Sequence, residues 1–424
     1  MQRGFYTIMS AQFFSSLADN ALFVAAVELL RTSGAPEWQR AALVPMFAFF
    51  YVVLAPLVGA FADRFPKGKV MFVSNAIKVI GCLLMLFGTH PLLAYAVVGL
   101  GAAAYSPAKY GILTELLPPS QLVKANGWIE GLTIGSIILG VLLGGILIGP
   151  KVSSMLLGFD VPMITTGIDT PPEAAIASMI LVYVIAAGFN LRIPHTGVAM
   201  QPIPSGTRLF PEFWDCNRRL WQDKLGQISL ATTTLFWGVA GNLRYIVLAW
   251  AAAALAYNTA AASKLVGVVA IGTAIGAVFA SMKSSLDRAT NVIPLGIGMG
   301  LTVILMIFIK DVWYAVPFLI LLGALGGYLV VPMNALLQHR GHMLMGAGRS
   351  IAVQNFNEQA CILGLGAFYA ALTFAGMSAF GAITMFGLVV AITMFFIKRW
   401  HESNKVHHAA ELERLLSIAR SDKH

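Results

Sequence analysis

Stretches of about twenty apolar residues recur along the whole of this chain, each parted from the next by a short polar break. In water they would have to hide together, and with 58% of 424 residues hydrophobic and 11% charged, no single core takes them all. A bilayer accepts them but adds a demand. With no water in the hydrocarbon, every backbone N–H and C=O must bond internally, which leaves helices as the spanning elements here. The stretches run over about 6–31, 41–62, 70–88, 92–117, 125–149, 174–192, 226–250, 262–282, 291–309, 313–338, 350–374 and 379–398. The first reads as a retained span rather than a leader, being too long, lacking a small-residue cleavage site and carrying Asp19 in its middle. The expectation is an all-α polytopic membrane protein with twelve transmembrane helices.

The net charge of +9 would suggest a nucleic-acid partner in a soluble chain, but here its distribution carries the information. About twenty of the 28 Lys and Arg, including Arg64, Lys67, Lys69, Arg218, Arg219, Arg288 and Arg340, fall on the side that holds both termini. About five, Arg31, Arg40, Lys151, Lys264 and Lys310, fall on the other. The positive-inside rule then places both termini in the cytoplasm, as an even number of spans requires. The three cysteines lie in two spans and a loop, so no disulfide framework is implied.

The most polar long loop, 193–225, leaves six spans on either side, and the two halves echo each other. "ADNALF" (18–23) aligns with "AGNLRY" (240–245), "SPAKYGIL" (106–113) with "VPMNALLQ" (331–338), and "ANGWIEG" (125–131) with "VQNFNEQ" (353–359), at offsets of 222, 225 and 228. Six plus six spans of one orientation imply two pseudo-symmetric six-helix bundles related by an axis along the membrane normal. The expected domains are 1–192, the first bundle; 193–225, a cytoplasmic loop; 226–398, the second bundle; and 399–424, a cytoplasmic tail. In that tail Leu412, Leu415, Leu416 and Ile418 lie near one face of a helix, as in an element that docks on a lipid surface or a partner.

The second span ends in "GAFADRFPKGK", Gly59 to Lys69. This resembles the major facilitator superfamily signature G-x-x-x-D-R-x-G-R-K, with Pro66 and Lys67 standing where the family has glycine and arginine. By that resemblance Gly59, Asp63, Arg64, Lys67 and Lys69 gate the cytoplasmic side, and the fold is the major facilitator fold. Taken with "LADNALF", "GAAAYSPAKYGILTEL", "LVKANG", "LFWGVAGNLR", "VVPMNALLQHRG" and "GAGRSIAVQN", the chain looks like the lysophospholipid transporters of Gram-negative bacteria over about residues 8–398. That likeness implies inward flipping of lysophospholipids such as lysophosphatidylethanolamine. They would pass from the periplasmic side to the cytoplasmic leaflet of the inner membrane, where an acyltransferase restores the missing chain. It also implies a monomer without cofactor. The long loop containing "DVPMITTGIDTPPE" and the tail after Arg399 depart from the family pattern.

Ionisable side chains inside the spans are few and costly against lipid, so they should face a cavity or a partner: Asp19, Glu28, Lys78, Lys109, Glu130, Arg244 and Glu358. A lysophosphatidylethanolamine head carries a phosphate and an ammonium, calling for a cation and a carboxylate close together. Arg244 or Lys109 suits the phosphate and Asp19 the ammonium, with Asp19 and Arg244 expected to pair across the pseudo-axis. The rival for Lys109 is snorkelling, since it lies roughly 12 Å from the end of its span. Lys78 reads as structural and Glu28 as a rim residue. Glu130 and Glu358 are open between proton carriage and helix contacts, and Asn20, Asn242, Gln354, Asn355 and Asn357 between a polar path and interhelical glue.

An acyltransferase of the common kind needs histidine with aspartate at a fixed short spacing. None of the eight histidines has it, and no metal cluster, nucleotide loop or nucleophile elbow stands in the sequence. The chain therefore reads as a transporter rather than an enzyme. The competing transport reading is a proton-coupled porter for drugs or sugars, with Asp19, Glu130 and Glu358 as proton carriers.

Overall fold

The computed structural model describes residues 3–35, 37–159, 167–257 and 259–421, and among them all regular structure is helical. The helices are α1 (Arg3–Thr32), α2 (Glu37–Val53), α3 (Ala55–Arg64), α4 (Lys67–Leu86), α5 (Pro91–Leu116), α6 (Pro119–Ile148), α7 (Pro150–Leu157) and α8 (Pro171–Asn190). They continue as α9 (Gly206–Gln222), α10 (Gly226–Leu255), α11 (Thr259–Lys283), α12 (Ile293–Leu305), α13 (Val312–Met345), α14 (Ala347–Phe374), α15 (Ala379–His407) and α16 (Ala409–Arg420). A 3-10 turn, Leu286–Val292, leads into α12.

Among the described residues nine helices are long and apolar enough to cross a bilayer, and two bent pairs raise the number to eleven. One pair is α2 and α3, bent by 63° where Pro56 opens the second helix. The stretch 350–374 is also helical, as α14, 28 residues long. Its first half carries Arg349, Gln354, Asn357 and Glu358, so it is less apolar than the rest. All twelve apolar stretches are thus helix. The segment 193–225 is not all loop, because it holds the amphipathic α9, whose Phe213, Cys216 and Leu220 are buried. The long connection before α8 runs through 160–166, outside the described residues. Past it, Glu173 reaches back to accept the backbone N–H groups of Asp169 (2.9 Å) and Thr170 (3.0 Å), covering donors left open at the start of α8.

The chain gathers into two compact units. The first comprises Met1–Glu115, Gly135–Glu212 and Ala347–Ala352; the second comprises Leu116–Ile134, Phe213–Gly346 and Val353–His424. In the first, Ala18, Ala21, Leu22, Ala25 and Ala26 form one buried stripe of α1. Their small side chains allow close approach to Ile176, Met179 and Tyr183 of α8, and Cys82 and Met85 of α4 join the same core.

In the second unit α11 and α13 approach until backbone meets backbone. A Cβ added to Gly327 would lie 2.1 Å from the Thr273 carbonyl oxygen. Trp250 on α10 is fully buried and donates its indole N–H to the Met306 carbonyl at 2.7 Å. At 34 residues α13 is about 51 Å long. This exceeds the roughly 30 Å of hydrocarbon, and its last turns, from His339 to His342, carry the polar side chains that suit the region beyond it. There Arg340 meets Asp223 at 2.6 Å in a buried pair.

The tail behaves differently from a free docking helix. In α16 Leu412, Leu415 and Ala419 are buried, and the helix packs on α15 and the 3-10 turn. Arg420 pairs with Glu413 at 2.7 Å and Asp287 at 3.3 Å, and these bonds raise its guanidinium pKa.

The α11–α13 contact generates a stability test. Gly327→Leu drives a side chain into the opposing backbone, where neither helix can yield without separating. It should cost about 1–3 kcal/mol or more, read as a lowered thermal midpoint of the purified protein in detergent.

Candidate functional site

In the first unit a charged network is built on α1, α4 and α8. Lys78, buried on α4, places Nζ 2.8 Å from Asp19 Oδ2 and donates to Ser15 Oγ at 3.0 Å. The other Asp19 oxygen accepts the Tyr183 hydroxyl at 2.6 Å. Ser15 in turn donates to Asn75 Oδ1 at 2.7 Å. The ammonium also sits over the rings of Tyr105 and Tyr183, at 5.0 and 5.5 Å. The lysine stem fits because position 101 is glycine: a Cβ there would lie 2.6 Å from Lys78 Cγ. Lys78 is 1% exposed and Asp19 19%, so the cation is sealed while the carboxylate stays partly open. A buried ammonium held by one carboxylate, one hydroxyl and two aromatic rings is a built site rather than an accident of packing.

A second network, also in the first unit, surrounds Asp63 at the end of α3. Its carboxylate accepts the backbone N–H of Gly348 at 2.6 Å and of Arg349 at 2.9 Å, the first amides of α14. Those amides have no partner in their own helix, and the helix dipole adds to their pull on an anion. Gly59, one turn earlier, lets α3 come this close, since a Cβ there would lie 2.8 Å from Ala352 Cβ. Lys67 bridges Asp63 (3.3 Å), Glu115 (3.0 Å) and the Ala62 carbonyl (2.6 Å). Arg349 reaches onward to Gln201, to the Pro202 carbonyl at 3.2 Å and to Glu212 at 3.3 Å.

The second unit contains a third polar cluster. Gln354 Nε2 donates to Glu358 Oε1 at 2.7 Å and to Asn334 Oδ1 at 2.9 Å, joining α14 to α13. Glu130 of α6 is buried within electrostatic range of Glu358. One turn along the same helices, Asn126 and Gln338 exchange amide bonds of 2.9 and 3.0 Å in a closed pair.

With this geometry in place, comparison with known proteins is informative. Residues 8–356 match the family model described as Major Facilitator Superfamily. The chain belongs to the Major Facilitator Superfamily. Among its relatives is the protein named "Lysophospholipid transporter LplT" of Yersinia pestis (strain Pestoides F). It is 39% identical over 365 residues, covering 86% of this chain and 85% of that one. The protein of that name from Yersinia pseudotuberculosis (strain YPIII) stands at the same identity and coverage. Among solved structures, the superfamily transporter FucP in its outward conformation has a TM-score of 0.67 at 14% identity, covering 93% of this chain and 98% of that chain. The human organic anion transporter MFSD10 has a TM-score of 0.65 at 14% identity, covering 93% and 100%. These last two likenesses concern the superfamily fold alone.

The superfamily loop is engaged unevenly. Gly59, Asp63 and Lys67 take part in the network at α14, whereas Arg64 and Lys69 are exposed. Among the spans, Asn20 donates to the Ser16 carbonyl of its own helix at 2.8 Å. Lys109 is half-buried with Nζ 4.2 Å from the Tyr110 ring centroid, and Arg244 is exposed on α10. Glu28 pairs with Arg31 at 2.6 Å near the end of α1, as a rim residue would.

Sequence reasoning left Lys78 and Tyr183 outside the site and did not single out Arg349 or Glu115. The available signal was the depth of Lys78 in its span, which demands a counter-charge. The partner it finds is Asp19, within the same unit, whereas sequence reasoning paired Asp19 with Arg244.

The Asp19–Lys78 pair makes a prediction independent of transport. Lys78→Met leaves the part-buried Asp19 carboxylate without its cation and should cost about 1–3 kcal/mol. Asp19→Asn in the same chain should return a large part of that loss. A double-mutant cycle of thermal midpoints in detergent measures the coupling, and additive losses would dissolve the pair.

Proposed function

We propose that this chain moves lysophospholipids across the bacterial inner membrane, from the periplasmic side to the cytoplasmic leaflet, by alternating access. The single observation that carries the reading is the 39% identity over 86% of the chain to relatives named as lysophospholipid transporters. The polar chemistry is compatible with it. Asp19, oriented by Lys78 and Tyr183 and still partly open, offers a carboxylate to a headgroup ammonium. Lys109 in the first unit and Arg244 in the second supply cations of the kind a phosphate requires. The cytoplasmic termini rest on the excess of Lys and Arg on one side of the spans, and the inner-membrane location on their being helices rather than barrel strands. Re-acylation of the product by a cytoplasmic acyltransferase, and action as a monomer, belong to the same proposal.

Asp63 is assigned to gating. Its bonds to the first amides of α14 are charge-assisted, each worth roughly 1.5–3 kcal/mol, and they must break whenever those two helix ends part. A lock of that strength is suited to holding one conformation without making it permanent.

The deciding experiment is uptake of labelled lysophosphatidylethanolamine in a strain lacking its own transporter. Re-expression of this chain should restore uptake; no difference would overturn the reading in favour of another porter. Lys109→Ala should lower transport roughly 10- to 100-fold with the protein still folded, the loss of one charged hydrogen bond to substrate. Asp19→Asn should harm ethanolamine heads more than glycerol heads, and equal losses would remove the carboxylate from ammonium recognition. Asp63→Ala should slow transport without changing the ratio between the two heads, and a changed ratio at normal rate would count against gating.

A further inference from the structure

On the second unit, an open cavity of about 600 Å³ lies between the end of α11, the 3-10 turn with the start of α12, and α13. Its wall is amphipathic in an ordered way. Phe279 of α11 and Leu321 of α13 are 54% and 51% exposed on helices long and apolar enough to span a bilayer, so this part of the wall offers lipid tails an apolar surface. At the other end stand Lys283, the last residue of α11, and Arg288 of the 3-10 turn, both exposed, with Asn291 and Tyr328 beside them. Among the described residues neither cation has a carboxylate partner. The carboxylate of Asp287, on the same turn, is committed to Ser285 at 2.7 Å and Arg420 at 3.3 Å.

From this we infer that the cavity is a binding site for a resident anionic phospholipid, held by its phosphate between Lys283 and Arg288 with an acyl chain along Phe279 and Leu321. Basic pockets between helices at the end of their spans take phosphate-bearing headgroups, and the volume suits a head and the first part of a chain. Arginine adds a planar fork that bonds phosphate oxygens in pairs, while lysine adds a point charge. Two uncompensated cations favour a lipid with net negative charge over a zwitterionic one. The site is separate from the residues assigned to transport above. It is also braced from outside the membrane, because α16 packs on the turn that carries Arg288 and Arg420 ties its neighbour Asp287.

The test uses the full chain in nanodiscs of phosphatidylcholine with and without phosphatidylglycerol, followed by native mass spectrometry and thermal melting. Phosphatidylglycerol should remain bound through detergent release and raise the Tm. Lys283→Gln with Arg288→Gln, both at exposed positions, should weaken that retention roughly 10- to 30-fold. Lys283→Arg with Arg288→Lys should keep it. Leu321→Trp fills the apolar half and should lower retention with both cations intact, which separates lipid from a bare anion. Unchanged retention in the Gln double variant would overturn the inference. So would equal stabilisation by phosphatidylcholine, or the full shift obtained with inorganic phosphate alone.

Discussion

A peptide group in hydrocarbon has no bonding partner except its own helix or a neighbouring protein group, and everything else in this chain is arranged around that condition. Twelve apolar stretches become helix because no other local structure closes their backbone bonds. Where a helix stops short or turns, a local reason is visible: Pro56 opens α3 after the bend, and Gly346, at φ 94°, separates α13 from α14. Association between helices then has little hydrophobic drive, since lipid tails are as apolar as leucine, and it falls to close contact and polar bonds. The alanine stripe of α1 and the backbone contact at Gly327 are the first kind; Trp250 to Met306 and Asn126 to Gln338 are the second.

Against that apolar background, each charge has to be accounted for. Lys78 is sealed from solvent and lies among one carboxylate, one hydroxyl and two aromatic rings, so its desolvation is offset from several directions at once. Asp63 is offset differently, by unbonded amides at a helix start together with Lys67 and Arg349. The first arrangement leaves its carboxylate partly exposed. The second closes its carboxylate completely against another helix. Two aspartates of the same chemistry therefore differ in how far they are open, set by what surrounds them rather than by their type.

Much of this is legible in the sequence. The helix stretches follow from hydropathy alone, and the superfamily loop from the spacing of Gly59, Asp63 and Arg64. What periodicity does not carry is the identity of partners. The depth of Lys78 in its span announces that a counter-charge is needed, but its partner lies 59 residues earlier and no local pattern points there. Arg349 lies at the start of α14, where the chain is too polar to read as a clean span, and its acceptors are in a segment read only as a loop. The tail shows the converse limit. Its apolar face at Leu412 and Leu415 was visible, but whether lipid or protein covers such a face is a matter of neighbours, and here α15 and the 3-10 turn supply them.

Arg349 also changes what the connecting segment is. One guanidinium holds Gln201, the Pro202 carbonyl and Glu212, while the backbone amide of the same residue is bonded to Asp63. The first turn of α14 is therefore tied at once to α3 and, through three contacts, to residues 201–212. The connector is thus fastened to the same helix start that Asp63 caps, so loosening the bonds of Arg349 to Gln201, Pro202 and Glu212 also weakens the seat of the amides that Asp63 holds.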